Sequence, residues 1–305
     1  RLGYILVTLW VIVTCTFFMM KNLPGTPFDA ERFSIMTPQQ QERVLEMYGL
    51  NDSLPMQYVK YIKNMLKGDL GTYFTYVNQD VSKVITGRLG PSALIGIQAV
   101  LIGLAIGLIL GILAAWKHNS GIDYFTMILA VLGVSVPNFV AAALLQYYIG
   151  LKWGVLPVGF WTGWNCSVLP SIALSFSATA MVARFMRTEM LDVLDQDYIV
   201  TARAKGLSQM KVLMRHAVRN SILPVVTILG PIVVNLMTGS LAVENIFSIP
   251  GIGSLFVDCI KANDYPVIMG ITIFYAAFYM LIVLLVDLAY SLIDPRIRLA
   301  KGKES

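Results

Sequence analysis

The sequence predicts an all-α, polytopic membrane protein with about six transmembrane helices, and three observations predict it. Apolar residues make up 56% of the chain and charged residues 13%, with a mean hydropathy of +0.68. A soluble domain carries about 25% charged residues to cover itself in water-facing groups, so the solvent of this chain is mostly lipid. Six apolar runs are long enough to span a bilayer. Apolar–polar alternation, the mark of a membrane β-barrel, is missing, and in lipid a helix satisfies its own backbone polar groups.

The first run, Leu2–Met20, is about 19 residues, or ~28 Å at 1.5 Å per residue. The Lys21-Asn22-Leu23-Pro24 that follows does not resemble a signal-peptide cleavage site, so the run is expected to stay in the mature protein. The chain starts at Arg1 rather than at methionine, so a few residues are expected to precede it. A polar segment over 21–89 carries balanced charge and suits a small folded domain. In it, Thr37 as cap and Pro38 at the first helical position predict one helix start. Met56, Val59, Ile62, Met65 and Leu66, near helical spacing within Pro55–Leu66, predict a second short helix. The transmembrane core, 90–293, then holds the remaining runs, roughly Ser92–Trp116, Tyr124–Ile149, Val168–Met186, Ile222–Val243 and Val267–Ile293, and the loop 191–221. A tail, 294–305, closes the chain.

Lysine and arginine in short loops set orientation. Lys117, then Arg184, Arg187, Arg203, Lys205, Lys211, Arg215 and Arg219, and Arg296, Arg298, Lys301 and Lys303 lie on one side; Lys152 and Lys261 lie on the other. Both termini and the basic segment are therefore expected in the cytoplasm, and 21–89 outside. The net charge of +5 needs no nucleic acid to explain it. Cys15, Cys166 and Cys259 are an odd, widely spaced set that argues against a disulfide framework or a zinc site. Cys166 and Cys259 could pair only if folding brought them together.

The most patterned polar stretch is the loop over 191–221. Gly206 sits where a helix ends in a left-handed cap, and Ser208 is placed to cap the next helix. That helix puts Met210, Leu213, Met214, Ala217 and Val218 on one face at helical spacing, with Lys211, Arg215, His216 and Arg219 opposite. A short helix, a sharp turn and an amphipathic helix can fit a groove on another protein or lie on anionic lipid.

Thr201–Ser208, TARAKGLS, followed by RHAVRNSILPVV over 215–226, resembles the coupling-loop motif of permease subunits of binding-protein-dependent ABC importers, oligopeptide and dipeptide branch, first permease of the pair. Other stretches agree in order. They are the opening run from Leu2 to Trp10, Leu23-Pro24-Gly25, Tyr48-Gly49-Leu50, Gly68-Asp69-Leu70-Gly71, Gly133–Phe139, Glu244–Gly253, Asp264-Tyr265-Pro266 and Asp294-Pro295-Arg296. Thr201-Ala202-Arg203 stands where many importer permeases have Glu-Ala-Ala. The resemblance implies a bacterial inner (plasma) membrane subunit that pairs with a second, homologous permease, two cytoplasmic ATPases and an external substrate-binding protein delivering a peptide. Tyr198, Thr201, Ala202, Arg203, Ala204, Lys205, Gly206 and Leu207 would couple to the ATPases. The chain lacks a Gly-x-x-x-x-Gly-Lys-Ser/Thr phosphate loop, so ATP and Mg²⁺ are expected on the partners and no cofactor on this chain. Dipeptide, nickel and glutathione permeases share the template.

Polar residues inside membrane spans are functional candidates by default. Ser135, Asn138, Gln146 and Asn235 are candidates for the pathway. Pro137-Asn138 can break its helix and open carbonyls to a cavity, or form a packed kink. Ser171, Ser175, Ser177 and Thr179 read as helix–helix hydrogen bonding, and Gly103, Gly107 and Gly111 as a close-packing stripe. Arg184 and Arg187 are expected to snorkel to the interface. Glu244, Phe247, Pro250 and Gly251, around a Pro-Gly turn, either gate the cavity from outside or simply connect two helices. A membrane enzyme is disfavoured, because the chain has two histidines, His118 and His216, and no paired carboxylates or metal-ligand spacing in its spans. An ion-coupled carrier would show paired ionisable groups or an internal repeat; Asp287 stands alone.

Overall fold

The computed structural model describes residues 2–22, 33, 35–47, 49–74, 79–237 and 241–293. Arg1, Leu23-Pro24-Gly25, Tyr48 and the tail 294–305 with its basic residues lie outside them, as does the Asp287 side chain. The described helices are α1 Leu2–Lys21, α2 Pro38–Met47, α3 Leu54–Leu66, α4 Val81–Trp116, α5 Gly121–Ser135, α6 Asn138–Leu145, α7 Val168–Leu194, α8 Asp197–Ala204, α9 Gln209–Val212, α10 Arg219–Met237, α11 Leu241–Ile246, α12 Ile252–Lys261 and α13 Tyr265–Ile293. Among the described residues five helices are long and apolar enough to cross a membrane, or six if α5 and α6, bent by 100° at their junction, count as one broken span.

The chain divides into two compact units. The first comprises 1–90 and 251–278. Its α2 starts as the sequence predicts: Thr37 Oγ1 accepts from the Gln40 amide at 3.3 Å while Gln40 Oε1 accepts from the Thr37 amide at 2.9 Å. This reciprocal capping box satisfies two otherwise orphaned donors. On α1, Phe17 is buried and packs edge-on to Tyr58 of α3, and Thr14 shares a 2.7 Å hydrogen bond with the Tyr58 hydroxyl. A second cluster gathers Tyr73, Val81, Ile85, Ile252, Leu255, Cys259, Val267 and Ile271. The Phe74 amide donates to Asp264 Oδ2 at 2.8 Å, tying the segment before α4 to the start of α13.

The second unit comprises 91–250 and 279–305. Its core is built around α7, against which α4, α5, α6 and α10 pack. A Cβ added at Gly103, Gly107 or Gly111 would lie 2.7 Å from Ala178 Cβ, Val182 Cβ or Met186 Cβ respectively. Only glycine permits that approach, as the stripe predicts. Ser171 Oγ of α7 lies within reach of the Ser167 carbonyl one turn back at 2.7 Å and, on α4, of Gln98 Oε1 at 2.8 Å and the Ile95 carbonyl at 3.2 Å, whereas Ser175 and Ser177 bond within their own helix only.

Several bounds differ from the sequence reading. The second span begins at Val81 rather than near Ser92, because α4 continues through Pro91 and its first turns bury Val81 and Ile85. The fourth runs on to Leu194, past the Met186 limit set by hydropathy. The third is broken at Pro137 and ends in a π-turn, Gln146–Lys152. The three cysteines are unpaired. Cys259 is buried beside the Tyr73 hydroxyl at 3.8 Å, and burial, against that contact, pushes its thiol from 9.0 up to about 12.

Candidate functional site

The patterned loop folds as a stiff knuckle. Helix α8 closes with Lys205 as cap and Gly206 in the left-handed region at φ +79°. The Gly206 amide donates to the Arg203 carbonyl at 2.9 Å and the Leu207 amide to the Ala202 carbonyl at 3.4 Å. These two bonds form the Schellman closure, which requires the residue after the cap to be left-handed. Ile199, Ala202 and Val212 pack under the turn against Val193 and Leu194. Asn220 Nδ2 donates to the Tyr198 hydroxyl at 2.9 Å, and Ser221 Oγ lies 2.9 Å from the Ala217 carbonyl and 3.2 Å from the Glu189 carbonyl of α7. Both arms of the knuckle are thus bonded back to their neighbours.

Two expectations about this loop need correction. Ser208 occupies the cap position of α9, but its side chain makes no capping hydrogen bond. The buried face is Val212, Leu213, Ala217 and Val218, while Met210 and Met214 are half or more exposed. The cause is a π-turn over Leu213–Val218, whose wider repeat moves the inward positions off the 3.6-residue spacing. The knuckle presents Tyr198, Val200, Leu207, Met210 and Met214 to its surroundings, amid exposed Thr201, Arg203, Ala204, Lys205, Lys211 and Arg215. Exposed apolar side chains set among charged ones suit either a protein interface or a membrane surface.

The pathway candidates fall in separate places. Ser135, exposed, ends α5, and Asn138, half-buried, opens α6, so both stand at the 100° bend. Gln146 lies at the start of the π-turn, and its amide donates to the carbonyls of Val158 and Ile246, both at 2.7 Å. Asn235 is exposed on α10. Of the gate candidates, Glu244 is buried and accepts from Ser92 Oγ at 2.7 Å. Phe247 is buried, and its carbonyl accepts from the Phe160 amide at 2.8 Å. Pro250 is half-buried, and Gly251, buried, is the cap residue of α12. A cavity of about 900 Å³ with almost wholly apolar walls lies among α4, α5, α6 and α7.

The sequence reading missed Asp123. It is buried in the first turn of α5 and gripped by Arg187 of α7: Nε bonds Oδ1, and Nη2 donates to Oδ2 at 2.8 Å. The Asn119 amide adds a 3.0 Å bond to Oδ2, and His118 Nδ1 lies 3.1 Å from the same oxygen. Arg187, read from the sequence as a snorkelling residue, is paired with this carboxylate and is partly buried. Arg184 is exposed. An aspartate immediately before the third apolar run was the available signal.

A bundle of apolar helices interrupted by a polar helical knuckle fits a membrane subunit of a transport system. The chain belongs to the family of binding-protein-dependent transport system inner membrane components: the family's model matches residues 107–299, and that of its N-terminal membrane component matches 1–88. Curated relatives align over nearly all of both chains. The dipeptide transport system permease protein DppB of Lactococcus lactis is 45% identical, over 98% of this chain and 98% of its own. DppB of Bacillus subtilis is 43% identical over 96% and 95%. The oligopeptide transport system permease protein OppB of Salmonella typhimurium is 39% identical over 95% of each. Among solved structures, the inward-facing MetNI methionine ABC transporter matches with a TM-score of 0.60, covering 70% of this chain and 97% of that one at 14% identity. That likeness is one of fold.

Proposed function

We propose that the chain is one permease subunit of an ATP-driven peptide importer. In this reading it pairs with a second, homologous permease to form the pathway, takes its substrate from an external binding protein, and is driven by two cytoplasmic ATPases that hold the ATP and Mg²⁺. Both termini and the knuckle over 197–208 face the cytoplasm, and 21–89 lies outside. The observation that carries the reading is the knuckle: an apolar docking face, stiffened by the Gly206 closure and continuous with α10, with the lever form needed to pass a push into the bundle. The peptide class rests on the relatives, which are named for peptide transport at 38–45% identity.

The sequence reading favours oligopeptides. A second reading, dipeptides, draws support from the relatives at 43 and 45% identity, which carry the dipeptide name, against 38 and 39% for those named for oligopeptides. The test is purification with the partner subunits, reconstitution in vesicles, and uptake of labelled dipeptide and pentapeptide with and without ATP. ATP-dependent accumulation of either peptide supports the importer, and the preferred length chooses between the readings. Uptake driven by an ion gradient without ATP would overturn it.

A further inference from the structure

We infer that Asp123 and Arg187 form a rigid clamp that carries motion of the knuckle into the broken span α5–α6; both are positioning residues, and the inference rests on the importer reading above. Three contacts in the second unit line up with the bend of the broken span. The knuckle packs on Val193 and Leu194 through Ile199, Ala202 and Val212. Those two residues belong to the last turns of α7, against which α10 also packs, with Ser221 Oγ 2.9 Å from the Ala217 carbonyl of its own segment and 3.2 Å from the Glu189 carbonyl of α7. Two residues before Glu189, Arg187 grips Asp123 through both its ε and η nitrogens. Asp123 stands in the first turn of α5, whose far end, Ser135, meets the 100° bend before Asn138.

The chemistry of the contact fits transmission. A planar guanidinium bound to both carboxylate oxygens fixes direction as well as distance, which a single hydrogen bond or an ammonium would not. The carboxylate is further held by the Asn119 amide at 3.0 Å and lies beside His118, so it cannot swivel about its own χ2 when Arg187 is pulled. Asp123 is 1% exposed, so releasing it would leave a desolvated charge; the two helices are constrained to move together. Gly111 adds a third wall, since a Cβ there would lie 2.7 Å from the Ala183 carbonyl and 3.2 Å from the Arg187 amide nitrogen. A link of this kind between elements able to take two arrangements is a physical route for coupling.

The test uses the intact complex of both permeases and ATPases in vesicles and reads peptides imported per ATP hydrolysed. Arg187→Lys keeps the charge and loses the fork; Asp123→Asn keeps the shape and loses the charge. Both are expected to assemble and hydrolyse ATP at rates near wild type, while import per ATP falls at least fivefold, with the double variant no worse than the worse single one. An unchanged ratio in assembled complexes overturns the clamp. So does failure of both variants to assemble, because the pair would then serve folding alone. A wild-type complex that hydrolyses ATP without importing peptide would instead sink the importer reading, independently of either variant.

Discussion

Replacing Gly206 with valine isolates the backbone's share in the knuckle. Gly206 sits at φ +79°, and a Cβ built on it meets nothing within 4 Å. Steric clash with neighbours is therefore absent, and the whole penalty is the left-handed conformation itself. That conformation costs an L-residue about 1–2 kcal/mol, and a β-branched side chain belongs at the upper end. A penalty of this size shifts the balance between closed and opened turn by a factor of about 5–30. Opening the turn breaks the bonds from Gly206 to Arg203 and from Leu207 to Ala202 and frees the face that carries Leu207 and Met210. Gly206→Val should thus lower ATP-driven uptake by about 5- to 30-fold while the subunit still inserts in the membrane. Gly206→Asn, which tolerates the left-handed region, should keep most of it. The assay is uptake by reconstituted vesicles, with co-purified ATPase as a second readout. Wild-type uptake by the valine variant would refute the reasoning.

Gly107→Ala should destabilise the protein by about 1–3 kcal/mol through overpacking, since its Cβ would fall 2.7 Å from Val182 Cβ and 2.9 Å from the Thr179 carbonyl. Gly87→Ala, on the same helix with nothing within 4 Å, should be neutral or stabilising by up to about 1 kcal/mol; melting in detergent compares the two. Gln146→Leu should cost about 1–3 kcal/mol in the same assay, because the carbonyls of Val158 and Ile246 each lose a donor. Cys259, neutral when folded, should resist a maleimide at pH 8 until the protein unfolds. Its raised pKa means that its contribution to stability is complete below the ordinary 9.0 and is lost as pH climbs through about 12, so stability should fall across that window.

Apolar run length and loop charge made the spans legible, because lipid leaves the backbone little choice but the helix. Thr37 with Gln40, Gly206 with its closure, the glycine stripe and the break at Pro137 were legible for the same reason: each is a local rule satisfied by adjacent residues. What stayed hidden depends on partners far along the chain. The first turns of α4 look too polar for a span, with Lys83, Thr86 and Arg88, yet they pack in the first unit through Val81 and Ile85. The π-turn over Leu213–Val218 turned Met210 and Met214 outward, and no periodicity of 3.6 encodes an extra residue per turn. Arg187 looked like a snorkelling residue because its partner lies 64 positions away.

The central claim is that the knuckle faces the cytoplasm and meets a motor there. With Cys15, Cys166 and Cys259 replaced, a single cysteine at Thr201 or Leu207 can be exposed to a membrane-impermeant maleimide in whole cells and in inside-out vesicles. The account predicts labelling only in the inside-out vesicles, and protection there when the ATPases are bound. Labelling from outside intact cells would contradict it.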